Sequence, residues 1–373
     1  MKLQLVRIMM GLLLAIIPEL MYAFGFSGID SLTPGKDVQA KIYGNSLYSD
    51  SLLPDNQYGI TANDPIHEIL NIETCYSNNA NNRSTLFRLL KVMRVKKILH
   101  YPQSRHRLFS DLAEISARLR LYPFAMRCYY QSINPEDNVA NETWFGQNPD
   151  FQPDWDVCID TSITGTQDNW KRESNPVKVE QILQSFDDGK PILACALILH
   201  IKQPSPGKRK AFAGLNNVGH MFITLIKYNA DKSIVSRSFG FYPDKDDILS
   251  ATPLHPLSCS VIKDDAYHNW DEAVGKFISH RRLLKILRLL NKYENKKYQL
   301  NNNNCTDFGL YVAMISGIDV QNTKGKWLFG KGNNPACAGQ SVLEGKLKNT
   351  DTGSNEGLFL CNSYQSQFNS LKK

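Results

Sequence analysis

The sequence predicts an α+β fold, an antiparallel sheet covered by helices, and three observations predict it. Leu86, Leu89, Leu90, Met93 and Ile98, then Leu108, Leu112, Ile115, Leu119 and Tyr122, recur at mostly three- and four-residue steps, the period of amphipathic helices. The apolar run from Pro191 to Ile201 has the length of a buried strand, and two further strand-like runs follow it. Downstream, Trp270–Asn291 and Cys305–Ser316 return to a helical apolar spacing.

The chain of 373 residues is long enough for an ample core. Its first 23 residues read as a secretory signal. Lys2 and Arg7 form a basic start, Ile8 to Ile17 is apolar, and Ala23 and Gly25 are small residues near a cleavage point. The apolar run is short for a bilayer span, and Pro18-Glu19 interrupts it, so export with cleavage is favoured over a retained anchor. Removing the signal deletes Lys2, Arg7 and Glu19 and leaves a basic chain, whose full-length formal charge is +7. That excess suits an anionic envelope surface. The aromatic-interleaved basic pattern of a nucleic-acid groove is absent, so no nucleic-acid partner is expected.

Residues 24–82 are rich in Asn, Ser, Asp and Gly and read as weakly structured. Residues 83–174 form a helical extension followed by a long loop. Arg83, Arg88, Lys91, Arg94, Lys96, Lys97, Arg105 and Arg107 decorate the helices, either as a solvated face or as an anionic-partner surface. The loop, residues 133–174, carries Trp144, Trp155 and Trp170 and reads as a cleft wall or a tethered insertion.

Residues 175–320 carry the core. Asn175-Pro176 reads as the start of a short helix stopped by Gly189. Phe222–Tyr228 and Ile234–Tyr242 flank the turn Asn229-Ala230-Asp231-Lys232 and form a hairpin. Trp270–Asn291 reads as one amphipathic helix, and Cys305–Ser316 as another ending at Gly317. Residues 321–373, rich in Gly, Lys and Asn, read as a C-terminal tail giving partly ordered cover.

Two segments carry chemistry. Asn301 to Asn304 precede Cys305, and Asn favours turns and helix caps, so Cys305 sits in a first helical turn. The positive end of the helix favours thiolate over thiol there. The Cys305 N–H with a side-chain amide of Asn303 or Asn304 would form an oxyanion hole. Upstream, His220 follows Gly219 at the mouth of a strand, and Gly219 would let another segment approach closely. A thiol and an imidazole so placed are the parts of a nucleophile and its general base. A structural capping cysteine and a packed histidine are the alternatives. If Tyr228 pairs with Ile234, His220 faces Tyr242, with Asp244 just beyond. Tyr242, Asp244 and Ser238 are therefore candidates to orient the imidazole, Tyr242 and Asp244 first; His200 and Asn269 are further alternatives. The 8 cysteines show no CxxC or Cys/His metal spacing, so no metal and no cofactor is expected. Cys195 reads as an apolar packing residue.

The ordered set Gly219-His220-Met-Phe-Ile, Phe239-Gly240-Phe241-Tyr242-Pro243 and Asn303-Asn304-Cys305-Thr306-Asp307-Phe308 resembles the circularly permuted papain-like thiol hydrolases. That group includes the NlpC-type cell-wall amidases, the lecithin retinol acyltransferase-like proteins and the PPPDE thiol peptidases. The segments are also similar to those of exported bacterial proteins with GH, FGFYP and NNCTDF motifs. The resemblance spans roughly residues 190–320 and implies a permuted papain-like core, with Cys305 as nucleophile and His220 as base. It implies an exported cysteine-type amidase or peptidase acting on peptides or peptidoglycan. A lipid acyltransferase or phospholipase of the same fold and a secreted binding module on a degenerate scaffold are the other readings.

Overall fold

The structure, a computed structural model, describes residues 102–133, 174–211, 218–244, 251–327 and 329–362. The signal segment, the 24–82 stretch, the first predicted helix and the tryptophan-bearing part of the long loop lie outside the described residues, as do most of the basic residues named above.

The architecture is mixed α and β around an antiparallel sheet. Its strands are β1 (Ile192–Lys202), β2 (His220–Asn229), β3 (Ile234–Asp244), β4 (Leu257–Asp264), β5 (Glu272–Ile278), β6 (Tyr298–Gln299) and β11 (Phe359–Asn362), in the order β11-β5-β1-β2-β3-β4-β6. β1 is covered on both faces, which is why it reads as an unbroken apolar run. Ala194, Ala196 and Ile198 point to one cluster, with helices α1 (Pro102–Arg118) and α2 (Tyr122–Ile133). Cys195, Leu197, Leu199 and Ile201 point to the other, with α3 (Val179–Phe186), α4 (His280–Tyr293), α5 (Cys305–Ser316) and α6 (Pro335–Leu343).

The hairpin has the expected register, with Tyr228 opposite Ile234 and Phe222 opposite Gly240. Three expectations need correction. The Trp270–Asn291 segment is not one helix: Glu272–Ile278 is β5, bonded to β1 and β11, and Ser279 caps a helix that starts at His280. Asn175-Pro176 does not open a helix; Pro176 bridges Lys263, and α3 begins at Val179. Residues 321–362, expected as partly ordered cover, are largely regular structure. They form β8 (Lys324–Trp327) with β9 (Gly330–Asn333), then α6, then β10 (Leu347–Asn349) paired with β7 (Ile318–Val320), then the edge strand β11. The helical extension also divides at Arg120, whose φ is 59°, and its two described helices pack directly on the sheet.

β5 carries one unsatisfied group. Glu272 is 1% exposed, and neither carboxyl oxygen has a hydrogen-bond partner. Burial, then the charge of Asp271, pushes it up to about 8. A carboxyl raised on folding stabilises fully below its ordinary pKa, and that contribution is lost as pH rises through the folded value. Between pH 4.5 and 7 the loss is roughly 3 kcal/mol. Thermal melts of Glu272→Gln and wild type are expected to diverge in the variant's favour as pH rises from 5 to 8.5; parallel curves would show that Glu272 does not titrate in this window.

Candidate active site

Cys305 is the first residue of α5, and the asparagines before it explain why a helix starts there. The Asn304 Oδ1 accepts from the N–H groups of Thr306 (2.8 Å) and Asp307 (3.1 Å), and Asp307 Oδ2 accepts from the Asn304 N–H at 3.0 Å. This capping box satisfies the free N–H groups of the first turn. The Asn304 side-chain amide donates to the carbonyls of Leu300 (2.8 Å) and Asn333 (2.9 Å), and the Asn303 amide to that of Lys297 (2.6 Å). The Asn304 amide is thus spent on holding the loop, while the Asn303 amide has one N–H committed to it. The expectation that the Asn304 amide serves an oxyanion hole is corrected, and the side-chain hydroxyl beside Cys305 is that of Tyr298. It hydrogen-bonds the Cys305 main chain and its thiol, and burial, then the Cys305 charge, keeps it protonated far above its ordinary pKa.

His220 opens β2. Gly219 before it has φ 72°, and a Cβ there would lie 2.8 Å from Pro204 Cδ and collide with the Lys202 carbonyl. The close approach expected at Gly219 is therefore that of the chain leaving β1, and only glycine combines this turn with this clearance.

The orienting carboxylate is Asp265, which the sequence reading missed. Its Oδ2 lies 3.2 Å from His220 Nε2. Its Oδ1 accepts from Ser174 Oγ at 2.6 Å and from the Tyr242 hydroxyl at 2.5 Å. Asp265 is fully buried. Tyr242 stands beside His220 as expected, ring centroids 4.2 Å apart, but acts on Asp265 rather than on the imidazole nitrogen. Asp244 is corrected: it is exposed at the end of β3, opposite Cys259. Ser238 bonds Thr224 Oγ1 (2.7 Å), His200 bonds the same hydroxyl (2.8 Å), and Asn269 accepts from Arg120 (2.7 Å). Gly240 is the floor of the site, because a Cβ there would sit 2.6 Å from His220 Nε2 and strike Asp265 as well.

The Cys305 thiol and the His220 imidazole each shift the other's titration. With Nε2 held by Asp265, Nδ1 is the ring nitrogen left for sulfur. Burial opposes charge on His220, but the charge and hydrogen bond of Asp265, with those of Cys305, outweigh it and raise the imidazole to about 9. Burial likewise opposes a thiolate at Cys305. The His220 hydrogen bond and charge, with the Met221 N–H, outweigh it and hold the thiol below its usual value. The two shifts agree on one state, a thiolate–imidazolium pair. His268, its ring centroid 4.9 Å from that of His220, cannot share the charge: burial, then the His220 charge, lowers it to about 4.

A larger cleft, about 1030 Å³, lies between α3, the start of β1 and α4. It borders Cys195, whose thiol burial pushes up to about 12 and so keeps from ionising. No family model matches this chain, and neither a curated protein nor a solved structure matches it.

Proposed function

We propose that this chain is an exported thiol hydrolase that cleaves an amide bond in peptides or peptidoglycan, built on a permuted papain-like core. The observation that carries the reading is the buried Cys305–His220–Asp265 relay, with a lowered thiol facing a raised imidazole. Support for the permuted arrangement is the order of the parts: the base on a strand, the nucleophile at a later helix start.

In the proposed reaction the Cys305 thiolate attacks the carbonyl carbon. A carbon–sulfur bond forms, and the carbonyl electrons move to oxygen beside the Tyr298 hydroxyl. Collapse breaks the bond to the leaving nitrogen, which takes the proton of the His220 imidazolium. Water then adds to the thioester, gives its proton to His220, and the carbon–sulfur bond breaks. Asp265 keeps Nε2 protonated, so that Nδ1 does the proton transfer.

The test is alkylation by iodoacetamide with peptide mapping across pH. Cys305 is expected to react well below pH 8, where an ordinary thiol is mostly protonated. Hydrolysis is expected to fall as pH rises through about 9, where His220 loses the proton it must donate. Reactivity at Cys305 that rises only above pH 8 would reject the ion pair and with it the enzyme reading.

A further inference from the structure

We propose that the acyl half of the substrate is small, of acetyl or glycyl size, and that Trp327 sets the limit. The inference rests on Cys305 being the nucleophile. A pocket of about 20 Å³ opens beside the sulfur, walled by Tyr298, Leu300, Trp327, Pro335 and Val218. That volume holds about one water molecule. Cys305 itself is 5% exposed and His220 6%, so the carbonyl has little other room.

The chemistry says which half of the substrate enters. The leaving group must depart beside the acid that protonates it, and that acid is His220. His220 does not border the pocket, whereas Cys305 and Tyr298 do. The pocket therefore lies on the acyl side of the scissile bond. Its walls are apolar or aromatic apart from Asn304 and Thr306 at the helix start and from Asn333 and Asn334, and no lysine, arginine or carboxylate among them would recognise a charged acyl group.

Trp327 is fixed by the hairpin that carries it. A Cβ at Gly330 would come within 2.9 Å of the indole Cε2, and one at Gly332 within 3.2 Å of its Cη2. The indole lies against glycine backbone, which leaves it no retreat. β9 is in turn tied to the capping loop, because the Asn333 side chain donates to Asp307 Oδ1 at 2.7 Å. Lengthening the acyl chain by two methylenes would drive carbon into this wall, and selectivity of roughly tenfold or more is expected.

The experiment compares kcat/KM for p-nitrophenyl acetate, butyrate and octanoate, which share one leaving group. Wild type is expected to lose roughly tenfold or more from acetate to butyrate, and more again to octanoate. Trp327→Ala is expected to erase most of that preference, bringing the butyrate-to-acetate ratio of kcat/KM toward one. Leu300→Ala tests the opposite wall, and the wild-type series stands alone should Trp327→Ala not fold. Cys305 that is alkylated by iodoacetamide but shows equal or rising turnover with chain length would overturn the size limit and favour a lipid acyl substrate. Cys305 that is neither alkylated nor acylated would overturn the nucleophile assignment itself, and the size limit with it.

Discussion

On the proposed function, Cys305→Ser is expected to lower hydrolysis by about 10⁴- to 10⁶-fold with the fold intact, a loss of the size seen when covalent hydrolases lose their nucleophile. The change is nearly isosteric, so packing around the buried residue is kept. What fails is the charge. Burial at Cys305 opposes any anion, and it is overcome only because a thiol ionises easily enough for His220 and the Met221 N–H to tip the balance. A serine hydroxyl ionises far less readily, and the same surroundings leave it neutral. His220 would lose the anion that helps to hold its proton. Turnover of p-nitrophenyl acetate, read beside thermal melts, checks this. A variant within tenfold of wild type would remove Cys305 from the mechanism and favour a binding module.

Asp265→Asn is expected to cost about 10²- to 10⁴-fold in kcat/KM, through the wrong tautomer of His220. Ser174 and Tyr242 both donate to Oδ1, so the asparagine oxygen will stay there. Its NH2 group is then left facing His220 Nε2, which must accept. The ring proton moves to Nδ1, where a base is needed. Burial, the largest influence on His220, then acts unopposed by a carboxylate and lowers its pKa. The signature is a fall in iodoacetamide reactivity of Cys305 at pH 6–7 with recovery at higher pH. A merely structural role for Asp265 would leave that pH profile unmoved.

The two ends of the dyad were legible because each is marked locally. A run of asparagines ends in a capping box, and a glycine precedes a strand. The register of the β2–β3 hairpin followed from its short turn and placed Tyr242 correctly. Asp265 was not legible, because it comes from the turn after β4, and only the folded sheet brings that turn to His220. The clue in the sequence was the Asp264-Asp265 pair closing an alternating segment. β5 was misread for a related reason. Val274, Phe277 and Ile278 fit a helical period, but β1 and β11 on either side make the segment a strand. The same holds for β11 itself, four residues long and too short to carry a period.

The place of β11 in the sheet also orders events in time. Arg118 at the end of α1 donates to the carbonyl of Asn362, a bond that spans 244 residues. β5 lies next to the central strand β1 and has no outer partner until Phe359–Asn362 arrives. A ribosome making this chain releases His220 and Cys305 well before the strand that closes the sheet or the indole that walls the pocket. Pairing at such separation is slow, so the nucleophile exists before its enclosure does. A chain stopped short of residue 359 would carry Cys305 on a helix over a sheet with a bare edge, ready to pair with another copy.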